Sequence, residues 1–336
     1  MFFKRKEKAA VPTGPGPMED KIPDDYNQAM RQAVVRFYSA ANLCFDKLRI
    51  EAAMGADHPP MPPVRYVTES IACGLAVDVG PSYQRVNQKN LDDWGVSFDQ
   101  MLMEVARQRA KEGVASMSIE GMVMVHDETA GPCLWLCPEL AESTVGGRPV
   151  MVGQRRTCTI LAREDDAVAV KRMAEFCDTA LQGDEWVESV TPTRWTGQKW
   201  ESVTWEQLGV PTELDRIITR RYEAANYGRV RPVLKQWYES RDECPITAAF
   251  QVCATKDGHI LSQAASVVDG DTEVNIIPMA DRVFFVFSDG RQTTVLPWEV
   301  ALEHCQMTAV GLSPEWYRVS SIPSHEELAS LASSTQ

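Results

Sequence analysis

Long apolar runs are missing from this sequence of 336 residues. A helix that crosses a bilayer needs roughly 20 consecutive apolar residues, and no segment approaches that length. The opening residues, MFFKRKEKAAVPTGPGP, also lack the apolar segment of a secretory signal. We therefore expect a cytoplasmic protein without membrane insertion, in which residues 1–22 form a flexible tail.

A regular cysteine spacing is also missing. The nine cysteines are odd in number and irregularly spaced, which argues against a disulfide framework and for reduced thiols. Cys133 and Cys137 in CLWLC, with His126 nearby, suggest a zinc site, but residues four apart in a strand lie about 13 Å from each other. The sequence therefore predicts thiols in a protein core, and we expect neither a metal nor another cofactor.

Familiar catalytic motifs are absent too. The chain contains no Gly-x-Ser-x-Gly elbow, no phosphate-binding Gly-x4-Gly-Lys-Ser/Thr loop and no Gly-x-Gly-x-x-Gly fingerprint. A metal-dependent nuclease pattern of acid-x-Lys occurs outside the basic start only at Glu19-Asp20-Lys21, ahead of every predicted strand. Asp78 is the acid that most resembles a reactive group, although a hydrogen bond within the adjacent turn explains it more simply than catalysis does.

Basic residues are outnumbered by acidic ones, 34 to 47, so the net charge of the chain is −13. Such a balance favours solubility and opposes nonspecific binding to nucleic acid. The segment from Arg216 to Arg241 is an exception, with seven basic residues against two acids and four interleaved aromatic residues. It could bind nucleic acid or an acidic partner protein, or pair with the acidic surface of its own chain. The candidate interaction patch consists of Arg216, Arg220, Arg221, Arg229, Arg231, Lys235 and Trp237.

Hydrophobic periodicity predicts the secondary structure of the first half of the chain. A three-and-four spacing of apolar residues predicts one long helix over about residues 24–53, ended by the linker HPPMPP at 58–63. Alternation over Ile71–Val79, a turn at 80–82 and a return over Tyr83–Asn87 predict a hairpin. Asn90 is expected to cap a short turn that ends at Gly95. Ser97 is expected to cap the next helix, which ends at Gly113.

Further elements follow from the same patterns. Strands are expected at 121–125, 133–137, 148–161, 186–190 and 193–203, with a turn at Gly197, and a helix is expected from Asp165 or Asp166 to Leu181. Trp186, Trp195, Trp200 and Trp205 are most simply explained by cross-strand pairing. A helix over Thr212–Glu239 is expected to break near Gly228 and Pro232, and hairpins and one short helix complete the C-terminal part.

Irregular alternation of helices and strands favours an α+β fold over a doubly wound parallel sheet. We expect two domains with mixed or antiparallel sheets, helices packed on the sheet faces and a long N-terminal helix. The predicted division is a tail at 1–22, an N-terminal α+β domain at 23–208, a helical connector at 209–241, a C-terminal α+β domain at 242–320 and a loose tail at 321–336.

The string GLAVDVGPSYQRVNQKNLDDWGVSFDQMLMEVARQ resembles the later part of the YtpQ-like family of bacterial proteins of unknown function. The shared pattern is a strand ending in an Asp-hydrophobic-Gly step, an aromatic residue, and a capped helix. It continues through GGRPVMVGQRRTCTILAREDDAVAVKRMAEF and ends near WESVTW, so that it covers about residues 64–206. The resemblance implies a fold and carries over no catalytic residue.

A regular scaffold without a local set of nucleophile, base and metal ligands favours a noncatalytic cytosolic protein that presents a surface to a protein partner. Two other functions stay open. One is an enzyme of unrecognised type, a hydrolase that uses Asp78 or other dispersed acids. The other is a nucleic-acid accessory protein that uses the basic segment at 216–241.

Overall fold

The chain is an α+β protein in which four sheets alternate with ten described helices. The structure, a computed structural model, describes residues 21–55, 60–80, 82–183, 185–268, 274–287, 290 and 292–334. The predicted tail up to residue 20, part of the predicted linker at 58–63 and parts of the turns at 80–82 and 288–290 lie outside the described residues. No helix in the described ranges is both long enough and apolar enough to span a bilayer.

Helices and strands are numbered separately along the chain. The helices are α1 (Tyr26–Gln32), α2 (Ala40–Met54), α3 (Gln88–Trp94), α4 (Phe98–Lys111), α5 (Cys133–Leu136), α6 (Pro138–Val145), α7 (Ala167–Leu181), α8 (Thr212–Glu239), α9 (Trp298–His304) and α10 (His325–Ser334). The strands of the N-terminal part are β1 (Ala33–Ser39), β2 (Val64–Tyr66), β3 (Ile71–Asp78), β4 (Tyr83–Arg85), β5 (Met117–Ile119), β6 (Met122–Val125), β7 (Pro149–Arg155), β8 (Cys158–Arg163), β9 (Thr193–Trp195) and β10 (Trp200–Ser202). The C-terminal strands are β11 (Ile246–Thr247), β12 (Phe250–Ala254), β13 (Ile260–Val268), β14 (Asn275–Pro278), β15 (Arg282–Phe287), β16 (Thr294–Pro297), β17 (Gln306–Ala309) and β18 (Trp316–Ser321).

The long N-terminal helix predicted over 24–53 is wrong, because a strand interrupts it. Asp25 caps α1, and the chain then extends as β1 and pairs antiparallel with β3 from Ala33 to Ser39. Ser39 ends the strand and caps α2 by accepting a hydrogen bond from the backbone N–H of Asn42 at 3.2 Å. Seven paired residues along β3 outweigh a local helical periodicity that β-branched and aromatic residues support only weakly.

Strand β3 is the centre of the first sheet. It pairs with β1 on one side and with β2 and β4 on the other, all antiparallel, so the hairpin predicted from alternation is confirmed. The alternation predicts one buried face, whereas every residue from Ile71 to Val77 is buried. On β3 the second face consists of the small residues Ala72, Gly74 and Ala76. Larger side chains from the paired strands β1 and β4 cover it.

A six-stranded antiparallel sheet in the order β10-β9-β7-β8-β6-β5 lies between two apolar layers. One face packs against the first sheet together with α4 and α5, and the other packs against α7 and Ile218 of α8. Helix α7 begins where predicted, with the Asp166 carboxylate accepting from the Ala169 N–H at 3.0 Å. The strand predicted over 133–137 is wrong, since Cys133–Leu136 form the short helix α5 and Cys137 ends it. Residues 186–190 also form no strand.

Two predictions about helix ends also need correction. Asn87 caps α3, and Asn90 completes the capping box from the third helical position. Helix α8 is continuous through Gly228 and Pro232, and it packs against α2, α7 and β12 along its length. Buried Tyr227, Val230 and Leu234 hold its second half against Ile276 and Trp316 of the C-terminal part, which offsets the loss of one backbone donor at proline.

The C-terminal part contains two mixed four-stranded sheets, β11-β14-β18-β17 and β12-β13-β15-β16. The pairs β11–β14 and β13–β15 are parallel, and the other pairs are antiparallel. The tail expected to be loose over 321–336 instead carries α10. Its Leu328 is fully buried in the C-terminal core, so an apolar contact orders a segment with polar composition.

Candidate functional site

Most of the seven residues of the predicted interaction patch contact other residues of the chain. Arg220 forms ion pairs with Glu223 at 2.6 Å and Asp281 at 2.5 Å, and Arg221 pairs with Asp178. The remaining contacts are Arg216 with Glu213 at 3.5 Å, Lys235 with Glu239 at 3.7 Å, Arg231 Nε with the Thr247 carbonyl at 2.9 Å and Trp237 Nε1 with Glu51 at 2.6 Å. Most of this positive charge therefore has a partner within the chain.

Arg229 is different from its neighbours on α8. Its guanidinium carbon lies 4.0 Å from the ring centroid of Phe45 and 3.7 Å from that of Trp186, between the two rings. Among the residues that the structure describes, it forms no ion pair, and its Nη1 atom is buried without a hydrogen-bond partner. Burial lowers the pKa of Arg229, and the cations Arg156 and Arg49 act in the same direction against Glu188 and Asp46.

A second group of arginines lies on the outer face of the first sheet. Arg36 and Tyr38 are two residues apart on β1, and Tyr83 and Arg85 are two residues apart on β4, so all four side chains share one face. The Arg36 guanidinium lies 4.3 Å from the Tyr83 ring centroid, and Arg85 lies 4.3 Å from that of Tyr38. Cation–π stacking of this kind holds the guanidinium planes in fixed orientations.

Small residues on β3 allow these side chains to lie close to the sheet. Gly74 is opposite Arg36, and a Cβ atom added to it would lie 3.0 Å from Cε2 of Tyr38 and 3.5 Å from Cγ1 of Val64. The first of these distances is too short for a relaxed contact. Glycine at this position therefore sets the depth at which the Tyr38 ring packs.

Carboxylates tie the two stacked pairs to neighbouring elements. Glu128 accepts from Arg36 at 2.9 Å and from the Tyr83 hydroxyl at 2.8 Å, and Asp46 of α2 accepts from Arg85 at 2.6 Å. Burial and the bond to Glu128 raise the pKa of Tyr83 to about 12. Burial opposes ionisation of Glu128, but Arg36 and Tyr83 together hold its pKa below the ordinary value.

Arg156, in the turn between β7 and β8, joins this face to Arg229. Its Nε lies 2.8 Å from Glu188, a fully buried carboxylate that also accepts from the Asn42 amide at 3.2 Å. Burial raises the pKa of the Tyr38 hydroxyl, whereas Arg85, Arg36 and Arg156 all act to lower it. We name Arg36, Tyr38, Tyr83, Arg85, Arg156 and Arg229 the arginine–tyrosine face.

The arginine–tyrosine face can bind an anion but offers no conventional nucleophile. Its four guanidinium groups present planar donors that match carboxylate or phosphate oxygens in pairs. Three of them have internal carboxylate partners, and Arg229 has none among the described residues. An external anion that contacts Arg229 would replace the solvation that the two aromatic rings exclude.

Asp78 makes the hydrogen bond within the adjacent turn that the sequence favours over a catalytic role. Its carboxylate is exposed and accepts from the Gly80 N–H at 2.9 Å, within the turn after β3. It also raises the pKa of Tyr83, less than burial and Glu128 do.

The other singled-out residues lie in the protein core or at structural positions. Cys133 and Cys137 are buried, and burial raises the pKa of both thiols. Trp195 and Trp200 are cross-strand partners with ring centroids 5.3 Å apart. Trp205 is buried in the apolar layer between the six-stranded sheet and α7. Within the described ranges, no three His, Cys, Asp or Glu side chains group as metal ligands would.

Five residues of the face were missed by the sequence predictions, namely Arg36, Tyr38, Tyr83, Arg85 and Arg156. A signal for the first four exists, because Arg-x-Tyr at 36–38 and Tyr-x-Arg at 83–85 both have strand spacing. Assigning 33–39 to a helix concealed it. No comparable signal exists for Arg156, whose contact with Glu188 joins residues 32 positions apart.

Comparison with known proteins adds no relative to this description. No family model, curated protein or solved structure matches the chain. The resemblance of residues 64–206 to the YtpQ-like family stays a prediction.

Proposed function

We propose that this chain is a noncatalytic cytosolic binding protein that recognises an acidic segment of a partner protein through the arginine–tyrosine face. One observation carries the proposal: Arg229 is a partly buried cation without a counter-ion among the described residues, held between two aromatic rings beside Arg156. A desolvated, unpaired charge is unfavourable, and a bound carboxylate removes that penalty.

Charge favours an acidic peptide over nucleic acid as the partner. The whole chain carries −13, which repels a long polyanion, whereas a short acidic segment needs only local complementarity. Arg216, Arg220 and Arg221, which a nucleic-acid interface along α8 would use, are already engaged with carboxylates. Recognition of one or two carboxylates by fixed guanidinium planes fits the geometry better.

The test uses the full chain and defined probes. A peptide rich in Asp and Glu, its Asn and Gln counterpart, and a single-stranded oligonucleotide of similar charge are each titrated by fluorescence anisotropy. We expect the acidic peptide alone to bind, with an affinity that falls as salt rises. Arg229→Met should weaken it at least tenfold, since truncating one partner of a desolvated charge pair costs about 2 kcal/mol or more.

Arg221→Met is the matched control, because Arg221 lies on the same helix but pairs with Asp178 at the surface. It should leave peptide binding unchanged. Tighter binding of the oligonucleotide, or equal losses in both variants, would favour the basic segment at 216–241 as a nucleic-acid site. Binding of the neutral peptide as tightly as the acidic one would overturn the proposal.

A further inference from the structure

An apolar cavity of about 480 Å³ lies between the N-terminal and C-terminal parts of the molecule. Its walls come from one face of α2, from β2 with the residues before it, and from residues 310–313 before β18. Leu43, Cys44, Leu48, Val64, Val310 and Leu312 are representative lining residues. The volume falls in the range of small-molecule sites, which occur preferentially at boundaries between domains.

The apolar lining of this cavity is incompletely covered. Leu48 is buried, but Leu43, Val64, Val310 and Leu312 each keep part of their surface exposed to the cavity or its mouth. Apolar side chains from three separate segments thus face the same space, and no described residue fills it. Apolar surface of a bound molecule would remove this area from water, and that burial supplies the driving force for binding.

Charge at one end of the cavity selects the polar group of such a molecule. Lys47 and Glu51 lie at this end, 3.8 Å apart, and Glu51 also accepts from Trp237 at 2.6 Å and from Arg241 at 3.0 Å. Two described cations therefore share one carboxylate. Lys47 is the more loosely held of the two, since its contact is longer and its side chain is 60% exposed. Its ammonium group can contact an added anion without losing a short ion pair.

We propose that this cavity binds an amphipathic monocarboxylate of the fatty-acid class. The apolar chain fills the space between α2 and residues 310–312, and the carboxylate meets the Lys47 ammonium at the mouth. This site is separate from the arginine–tyrosine face and does not depend on the proposed function. Because its walls belong to both parts of the chain, a bound molecule contacts both of them at once.

Decanoate, octanoate, decanol and decylamine are suitable probes, titrated into the full chain by calorimetry. We expect saturable binding of decanoate and about fourfold weaker binding for each methylene removed. Decanol should bind up to about fivefold more weakly than decanoate, which is the range of an exposed ion pair. Decylamine should bind more weakly than both.

Variants separate the apolar wall from the charge. Leu43→Trp and Leu312→Trp fill the cavity from different walls. Each should weaken the binding of decanoate at least tenfold. Two variants are used so that the test still holds if one of them misfolds. Lys47→Gln should lower the affinity for decanoate to that for decanol, and it should leave the affinity for decanol unchanged. Lys171→Gln is the matched control, because Lys171 has the same spacing and the same 3.8 Å distance to Glu175 on α7.

The proposal fails if decanoate shows no saturable binding, or if neither tryptophan variant weakens it. Tighter binding of decylamine than of decanoate would also overturn it, since the charge at the mouth would then select a cation. Equal effects of Lys47→Gln and Lys171→Gln would contradict the assigned position of the carboxylate.

Discussion

Arg220 and Arg229 lie on the same helix, nine residues apart, and have opposite surroundings. Arg220 contacts two carboxylates, Glu223 one turn away and Asp281 in the C-terminal part. Arg229 lies between the rings of Phe45 and Trp186, and no described carboxylate pairs with it. Burial lowers the pKa of Arg229, whereas for Arg220 the two carboxylates outweigh burial and raise it.

The difference separates arginines that link parts of the fold from one that has no described counter-ion. A buried charge with a short ion pair is destabilising to remove, because its partner stays behind unpaired. A buried charge without a partner already destabilises the chain, and binding of an anion can offset that. Arginine count along a helix does not distinguish the two cases.

The largest effect should come from breaking the contacts of Asp281. Its carboxylate accepts from Arg220, from the Ser262 N–H at 2.7 Å and from the Ser262 hydroxyl at 2.9 Å. Asp281→Ala leaves both Ser262 donors unsatisfied and leaves Arg220 with Glu223 alone, and we expect the free energy of unfolding to fall by about 3 kcal/mol. Urea denaturation measures it. Asp178→Ala removes the carboxylate that accepts from Arg221 and from the exposed Gln182 amide, and it should cost under about 1 kcal/mol.

Methionine at the two arginine positions tests the comparison directly. Arg220→Met leaves Glu223 and Asp281 without their cation, and the free energy of unfolding should fall by about 2 kcal/mol. Arg229→Met keeps an apolar contact with both rings and removes an unpaired charge, so stability should stay equal or rise by up to about 1 kcal/mol. Similar losses in both variants would show that Arg229 has a counter-ion after all.

Anions should stabilise the chain through Arg229 by a smaller amount. In phosphate at roughly five times its dissociation constant, the free energy of unfolding should rise by about 1 kcal/mol relative to chloride at equal ionic strength. Thermal unfolding in matched buffers provides the measurement. The gain should vanish in Arg229→Met and persist in Arg221→Met; an equal gain in both variants would indicate a general salt effect.

The smallest effect concerns acid. Arg36 and Tyr83 depress the pKa of Glu128 in the folded chain below its ordinary value of 4.5. The stability that this carboxylate contributes is therefore present above pH 4.5 and is lost as pH falls through the folded-state pKa. Glu128→Gln should reduce the loss of unfolding free energy at acid pH by under about 1 kcal/mol, since the Arg36–Glu128 pair is partly exposed. Unfolding measured across this pH range in both proteins would reveal an unchanged slope if the assignment is wrong.

Local patterns along the chain were good guides wherever a residue acts on its own segment. Ser97 and Asp166 begin α4 and α7 as predicted, because a capping side chain bonds an amide only three residues away. The turn after β3 and the hairpin β9–β10 followed from the same short-range chemistry. The α+β class follows from the order of such segments.

Predictions failed where a distant partner decided the outcome. Ala33–Ser39 has a helical spacing of apolar residues but pairs with β3, about 40 positions later, and CLWLC packs as a helix under the six-stranded sheet. The roles of Arg220, Arg221 and Arg229 on α8 likewise depended on contacts with residues that are remote in the chain, namely Phe45, Asp178, Trp186 and Asp281.

Composition and short-range spacing were sufficient to establish an acidic α+β chain with several of its caps, turns and helices, because those depend on bonds between neighbours. Which cation is paired, which is stacked between rings, and where an apolar space stays unfilled came from the packing of remote segments. Electrostatic and apolar contacts act through space, and only the folded chain specifies those distances.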